Sequence, residues 1–214
     1  MEIVFTDKLK GKFETNQITG VYGDVTDLLY MDIDIDGIDY DDEWTVKRFL
    51  NGHHLKLNKR IEGIFNYLNL DIEILLDTKI KDLSKNDYKF ILLAYILLIN
   101  KNIIIFDYFD YGLIHKEKKR IIKIMKNLKK DGKTIIVISK DLVFLNSVVD
   151  SIKVFDNHEI KFSGDIIELV KDHSKLVDLP EIIKFIELAN KKNANLTYTL
   201  DSKELLKDVY RSAY

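Results

Sequence analysis

No cysteine occurs among the 214 residues, which excludes disulfides and cysteine-ligated zinc. The single proline, Pro180, and 9 glycines leave no Pro- or Gly-rich stretch of the kind that marks a linker. No internal repeat divides the chain. An excess of charge of one sign is missing too: 33 basic residues face 35 acidic ones, a formal net charge of -2. No global field therefore draws the chain to nucleic acid or to an anionic membrane, and no nucleic-acid partner is expected. The longest apolar stretch, Phe90 to Ile99, is about half of the roughly 20 residues a membrane helix needs, and Asn100-Lys101-Asn102 interrupts it. It reads as a buried helix. The N-terminal MEIVFTDKLK lacks a basic segment followed by an apolar core, so the expected location is cytosolic.

What is present suffices for one ordinary core with an appended subdomain, since 46% of the chain is hydrophobic and 32% charged. Ile18 to Tyr22, Ile103 to Asp107 and Thr134 to Ser139 are short β-branched runs, as expected of strands buried on both faces of a parallel sheet. Helices fill the gaps. Ser84 with Asp87 three residues on predicts a capped helix through Ile99. His115 to Lys130 places Ile121, Ile122, Ile124, Met125 and Leu128 mostly on one side, with Gly132 as the stop. Ile160, Phe162 and Gly164 suggest a closing strand and turn. Pro180 to Lys192 and Ser202 to Arg211 read as amphipathic surface helices. Strand and helix in alternation predict a doubly wound α/β core.

A phosphate loop needs a glycine-rich turn after a strand, then a lysine and a hydroxyl at the start of a helix. Ile18 to Gly23 is followed by Asp24-Val25-Thr26-Asp27-Leu28-Leu29-Tyr30. Counting from Gly23 puts Leu28, Leu29 and Tyr30 where the last glycine, the lysine and the hydroxyl belong. No lysine lies between Lys12 and Lys47, so aligning Thr26 with the hydroxyl restores nothing. Asp24 and Asp27 would repel a triphosphate. The reading is an ordinary strand-to-helix turn. Gly132-Lys133-Thr134 spells the end of such a motif, but it follows a helix and precedes a strand, the reverse of the required order.

Asp32-Ile33-Asp34-Ile35-Asp36-Gly37, with Glu43 five residues after a further Ile38, satisfies the oxygen-ligand pattern of an EF-hand loop. The alternation of Ile33 and Ile35 suits a strand instead, no second loop pairs with it, and Asp39 falls where an aliphatic residue belongs. A strand and turn is expected, with a calcium-binding regulatory module through Asp32 to Glu43 as an alternative. His53, His54, His115, His158 and His173 have no metal-ligand spacing.

The ungapped run from Leu83 to Leu113, LSKNDYKFILLAYILLINKNIIIFDYFDYGL, carries a resemblance. Leu83-Ser84 opens a segment similar to the LSGGQ signature of ABC ATPases. Ile103 to Asp107 resembles Walker B, and Gly112-Leu113 the D-loop. Ile18 to Gly23 resembles the strand entering the P-loop, Ile33 to Tyr40 the strand and turn that follow, and Thr134 to Asp141 the strand and switch turn. The stretch from Gly164 through Lys192 resembles the C-terminal extension of energy-coupling-factor importer ATPases. The chain thus looks like an ATP-binding-cassette subunit of an ABC transporter, closest to the energy-coupling-factor type.

The resemblance implies a P-loop NTPase-like core over 1–164, with a helical signature subdomain over about 44–100, and a helical extension over 165–214 suited to dimerisation. It implies that Gly20, Gly23 and Asp107 are vestigial nucleotide-binding positions, Asp107 being the Mg²⁺ carboxylate. Tyr108 occupies the catalytic glutamate position, Lys140 the switch histidine and Ile114 the D-loop aspartate. Lys85 and Asn86 replace the signature glycines, and Asp87 adds negative charge there. The sole glutamine, Gln17, lies upstream of the P-loop strand, and between Glu43 and Trp44 the sequence skips the segment that would bear the Q-loop. A phenol with a pKa near 10 is a poor base at neutral pH. The expectation is a degenerate cassette without a bound cofactor, peripheral to the inner face of the cell membrane and paired with an active ATPase subunit, with itself or with a membrane subunit. A working ATP-Mg²⁺ site with surrogate residues, Glu117 or Lys140, is the alternative.

Overall fold

A computed structural model describes residues 2–4, 12–23, 41–52, 58–157 and 159–212. The phosphate-loop positions 24–30, the candidate calcium ligands Asp32, Asp34 and Asp36 with Gly37, and His53, His54 and His158 lie outside the described residues. The chain divides into two compact units, Met1–Asp34 with Ile105–Tyr214, and Ile35–Ile104. In the first, β1 (Glu2–Val4) and β2 (Lys12–Glu14) pair antiparallel. Strand β3 (Ile18–Tyr22) is buried along its whole length, as expected of a strand covered on both faces of a parallel sheet.

The elements described between Asp41 and Asn100 are helices. Helix α1 (Val46–Gly52) buries Val46, Phe49 and Leu50. Helix α2 (Lys59–Tyr67) starts where Asn58 accepts the N–H groups of Arg60 and Ile61, and it buries Ile61 and Phe65. Asp71 caps the one-turn α3 (Ile72–Leu75) in the same way. A 3₁₀ turn, Ile80–Asp82, leads to α4 (Lys85–Ile99). Ser84 Oγ accepts the Asp87 N–H at 3.0 Å, the cap expected from the sequence, and Asn100 ends the helix in a left-handed conformation. Phe90, Ile91, Leu93, Ala94 and Leu98 are buried. Among the described residues no helix is long and apolar enough to cross a membrane.

The remaining elements complete the sheet. They are β4 (Ile103–Asp107), α5 (His115–Lys130), β5 (Thr134–Ile138), α6 (Leu142–Asn146), β6 (Ser151–Asp156) and β7 (Glu159–Gly164). The strand order is β4-β5-β3-β6-β7. Strands β5 and β6 run parallel to β3, and β7 closes the sheet antiparallel to β6. Helix α5 buries Ile121, Ile124, Met125 and Leu128, the helical spacing read from the sequence, and Gly132 takes φ +80° just beyond its end. Lys133 and Thr134 then lead into β5, so the Gly132-Lys133-Thr134 triplet is a helix stop and strand start.

Three helices follow the sheet: α7 (Ile166–Asp172), α8 (Glu181–Asn190) and α9 (Ser202–Ser212). Pro180 precedes the first turn of α8, where its fixed φ and missing N–H do no harm. Helix α8 buries Ile183 and Ile186 and exposes Phe185 and Leu188, whereas α9 has no fully buried residue and exposes Leu206 and Tyr210. A tyrosine at the end of β3 ties this region to the sheet. The buried Tyr22 hydroxyl accepts the Asp178 N–H at 2.9 Å.

Candidate functional site

Ligands of open α/β sheets bind at the carboxyl ends of the strands, and there the chain is least regular. Strand β4 ends at the half-buried Asp107. Tyr108 follows in a left-handed conformation, φ 43°, which is uncommon for a bulky residue and belongs to turns and functional sites. Its N–H donates to the Ile138 carbonyl at 3.0 Å, holding the exit of β4 against the last residue of β5. Two further bonds, Tyr111 N–H to the Tyr108 carbonyl and Leu113 N–H to the Asp110 carbonyl, close a tight loop in which Gly112 takes φ +79°.

The exit of β5 faces that loop. Ser139, almost fully buried, accepts the Asp141 N–H at 3.0 Å and hydrogen-bonds the Asp110 carboxylate. Asp141 caps α6 by accepting the Phe144 N–H at 2.9 Å and pairs with Lys118 of α5 at 2.7 Å. Burial opposes ionisation of Asp141, but the Lys118 ammonium and the Phe144 N–H together hold its carboxyl below the usual carboxylate range. Asp110 goes the other way. Burial pushes its carboxyl up, and the Ser139 bond and Lys118 charge only partly offset this.

These groups line a cavity of about 700 Å³ formed by Tyr108, Asp110, Tyr111, Gly112, Leu113, Lys118, Lys140 and Asp141. Tyr108 and Lys140, expected at the catalytic glutamate and switch histidine positions, both line this cavity. Asp107 stands directly before it in the chain. Glu117 does not serve as a surrogate base here, because its carboxylate reaches back to the Ile114 N–H at 2.9 Å and caps α5. Asp110, Lys118 and Ser139 were not singled out from the sequence. No local pattern marks them, since the loop and helix that bring them together are far apart along the chain.

The glycines of β3 serve the backbone. A Cβ on Gly23, which has φ +116°, would lie 2.3 Å from the Phe155 carbonyl oxygen, and one on Gly20 would lie 3.1 Å from Val149 Cγ1. The signature-like residues Leu83, Ser84, Lys85, Asn86 and Asp87 belong to the unit 35–104, where Ser84 caps α4. Glu43, the last candidate calcium ligand, bonds Lys79 Nζ at 2.9 Å and pairs with Lys81 as well. The hydrogen bonds from Lys81 and then Lys79 hold its carboxyl below the usual range. Among the described residues no group of three or more His, Asp or Glu side chains is arranged to hold a metal ion.

No protein-family model matches the chain. Over 151 residues it is 34% identical to a Pyrococcus furiosus protein named as an ABC transporter ATP-binding protein, an alignment covering 67% of this chain and 54% of that one. Over 146 residues it is 33% identical to the energy-coupling factor transporter ATP-binding protein EcfA of Malacoplasma penetrans, covering 65% of this chain and 50% of the relative. The chain is a homologue of ABC transporter ATP-binding proteins. It spans about half the length of these curated relatives. Among solved structures, the ADP conformation of an ATP-binding cassette of an ABC transporter superposes with a TM-score of 0.61 at 18% identity, covering 78% of this chain and 88% of the other. A nucleotide-free cassette from an ABC transporter gives 0.61 at 17% identity, covering 84% and 96%. The fold is that of an ABC ATPase cassette, a P-loop NTPase fold.

Proposed function

We propose that the chain is an energy-coupling-factor-like cassette subunit of a membrane transporter that keeps the fold as a docking body and does not hydrolyse ATP. The observation that carries this is Tyr108, a phenol in a left-handed backbone conformation, directly after Asp107, where hydrolysis needs a carboxylate. Phosphoryl transfer gains its rate from positioned cations and an oriented water. No lysine or arginine occurs between Lys12 and Lys47; of the two lysines that line the cavity at the exit of β4, Lys118 is engaged by Asp141 and Lys140 is exposed. Gly23 is required by the close Phe155 backbone, so its retention does not argue for a phosphate cradle. These residues do not fit ATP-Mg²⁺ chemistry, and no catalytic step is assigned through it.

The helices of 165–214 support a pairing role. Phe185, Leu188, Leu206 and Tyr210 leave apolar surface on α8 and α9 that an active ATPase subunit or a second copy would cover. Residues 1–164 then act as the cassette core and 165–214 as the extension, at the cytoplasmic side of a membrane complex. The test is Mg²⁺-ATP titration by thermal unfolding, with phosphate release measured on the same sample. A ligand at 100 times its dissociation constant adds about 2.7 kcal/mol of stability, which a melting scan resolves. The expected result is neither a shift nor phosphate release. ATP-dependent release that Asp107→Ala abolishes would replace this reading with a functional ATPase of non-standard site.

A further inference from the structure

One lysine of the sheet is shielded as an ion-pair partner would be but has no ion to pair with. Lys153 lies on β6 opposite Ser163 of β7, the strand at the edge of the sheet. Its Nζ donates to Ser163 Oγ at 2.9 Å and lies 5.8 Å from the centre of the Phe13 ring, which is fully buried on β2. Lys118 and Lys129, with side chains 29% and 35% exposed, each hold a carboxylate, Asp141 and Asp150. Lys153 is half-buried too, yet a neutral hydroxyl and a ring face stand where those two have an anion, and it forms no ion pair among the described residues. A ring face is a weak substitute for a carboxylate.

Neighbouring charges do not make up the difference. Glu14 of β2 acts on Lys153 without bonding it, since its carboxylate takes the Gln17 side-chain amide, and Glu159 of β7 pairs with Lys161. Burial therefore pushes the Lys153 amine below the usual lysine range, and the Glu14 charge only partly offsets this. A desolvated lysine carries more neutral amine at neutral pH, and the neutral amine is the nucleophile. The site is nonetheless open on one side. Ser163 is exposed on the edge strand, so its bond to Nζ sits at the margin of the sheet.

We propose that Lys153 is a modification site, acylated on Nζ by small acyl phosphates ahead of the lysines of the open surface. The neutral nitrogen attacks the acyl carbon and a C–N bond forms. The C–O bond to phosphate breaks, phosphate leaves with the bonding pair, and the surplus proton on nitrogen passes to solvent. The product is an uncharged amide, which replaces a shielded ammonium that lacks a counter-ion. The proposal goes beyond the cassette reading and does not depend on whether the chain hydrolyses ATP.

The test exposes the purified chain to acetyl phosphate at neutral pH and follows the modified fraction of each lysine by mass spectrometry. Lys153 should react about 3-fold or more faster than the exposed Lys116 and Lys171, because its neutral fraction is larger. In concentrated urea, where burial is gone, the preference should vanish. Ser163→Asp places a carboxylate opposite Lys153 on the exposed strand, as Lys118 and Lys129 have, and should bring its rate in the folded chain down to that of Lys116 and Lys171 or below. The proposal falls if Lys153 reacts no faster than those two in the folded chain, if its preference survives urea, or if Ser163→Asp leaves its rate unchanged.

Discussion

The chain leaves β3 and leaves β4 and β5 in opposite ways. At the end of β3, Tyr22 is buried and bonded to Asp178, and Gly23 lets its backbone approach Phe155 where no Cβ fits. At the ends of β4 and β5, polar side chains line an open cavity, and one carboxylate oxygen has no hydrogen-bond partner among the described residues. The first exit is committed to packing. The second keeps polar groups around an open cavity. A glycine at a family's motif position therefore says little about ligand chemistry until its neighbours are known.

The sharpest way to break the comparison is at Gly23. Alanine there must hold φ +116° and push against the Phe155 carbonyl, so Gly23→Ala should cost about 3 kcal/mol or more, combining left-handed strain with overpacking. Urea unfolding measures it. A loss below about 1 kcal/mol would mean that this exit adjusts freely and that its glycine is not held by packing.

A smaller effect is expected from Lys118→Met. The pair with Asp141 is roughly two-thirds buried, so after discounting for solvent its loss should cost about 1 kcal/mol at neutral pH. Because folding depresses the Asp141 carboxyl, its contribution is present above the unfolded value of about 3.9 and is lost as pH falls through the folded one. The difference between wild type and variant should therefore shrink below about pH 4. Equal differences at neutral and strongly acid pH would show that the lysine acts through its ammonium over the Phe144 ring, 5.8 Å from the centroid, and not through its pair with Asp141.

Much of the frame was legible in advance because long periodic or unbroken apolar segments carry their own signal. Ile18–Tyr22, Ile103–Asp107 and His115–Lys130 fold at the bounds their patterns predict. The five-residue α6 and the one-turn α3 were not resolved individually, because side-chain caps from Asp141 and Asp71 define them and so few residues show no period. The site divides similarly. Tyr108 and Lys140 could be placed by counting along a motif, and they line the cavity together. Asp110 could not, since its burial and its bond to Ser139 arise only when β4 and β5 lie side by side.

The smallest expected effect is the most discriminating for the proposed function. Tyr108→Glu restores a carboxylate directly after Asp107, and a positioned general base is worth about 10² to 10⁴ in rate. If that carboxylate were all the cassette lacked, phosphate release should climb by at least 100-fold over wild type. We expect no increase. The bond from the N–H of this residue to the Ile138 carbonyl favours the same left-handed backbone in the variant, which aims the new side chain as it aims the phenol now. Lys118 stays paired with Asp141, and residues 13–46 still offer no lysine or arginine to meet the phosphates. Phosphate release from Tyr108→Glu at the wild-type level would place the loss of hydrolysis in the whole exit region and not in one residue. A 100-fold gain would show the opposite: the β3 exit, for all its commitment to packing, would still be able to hold a triphosphate.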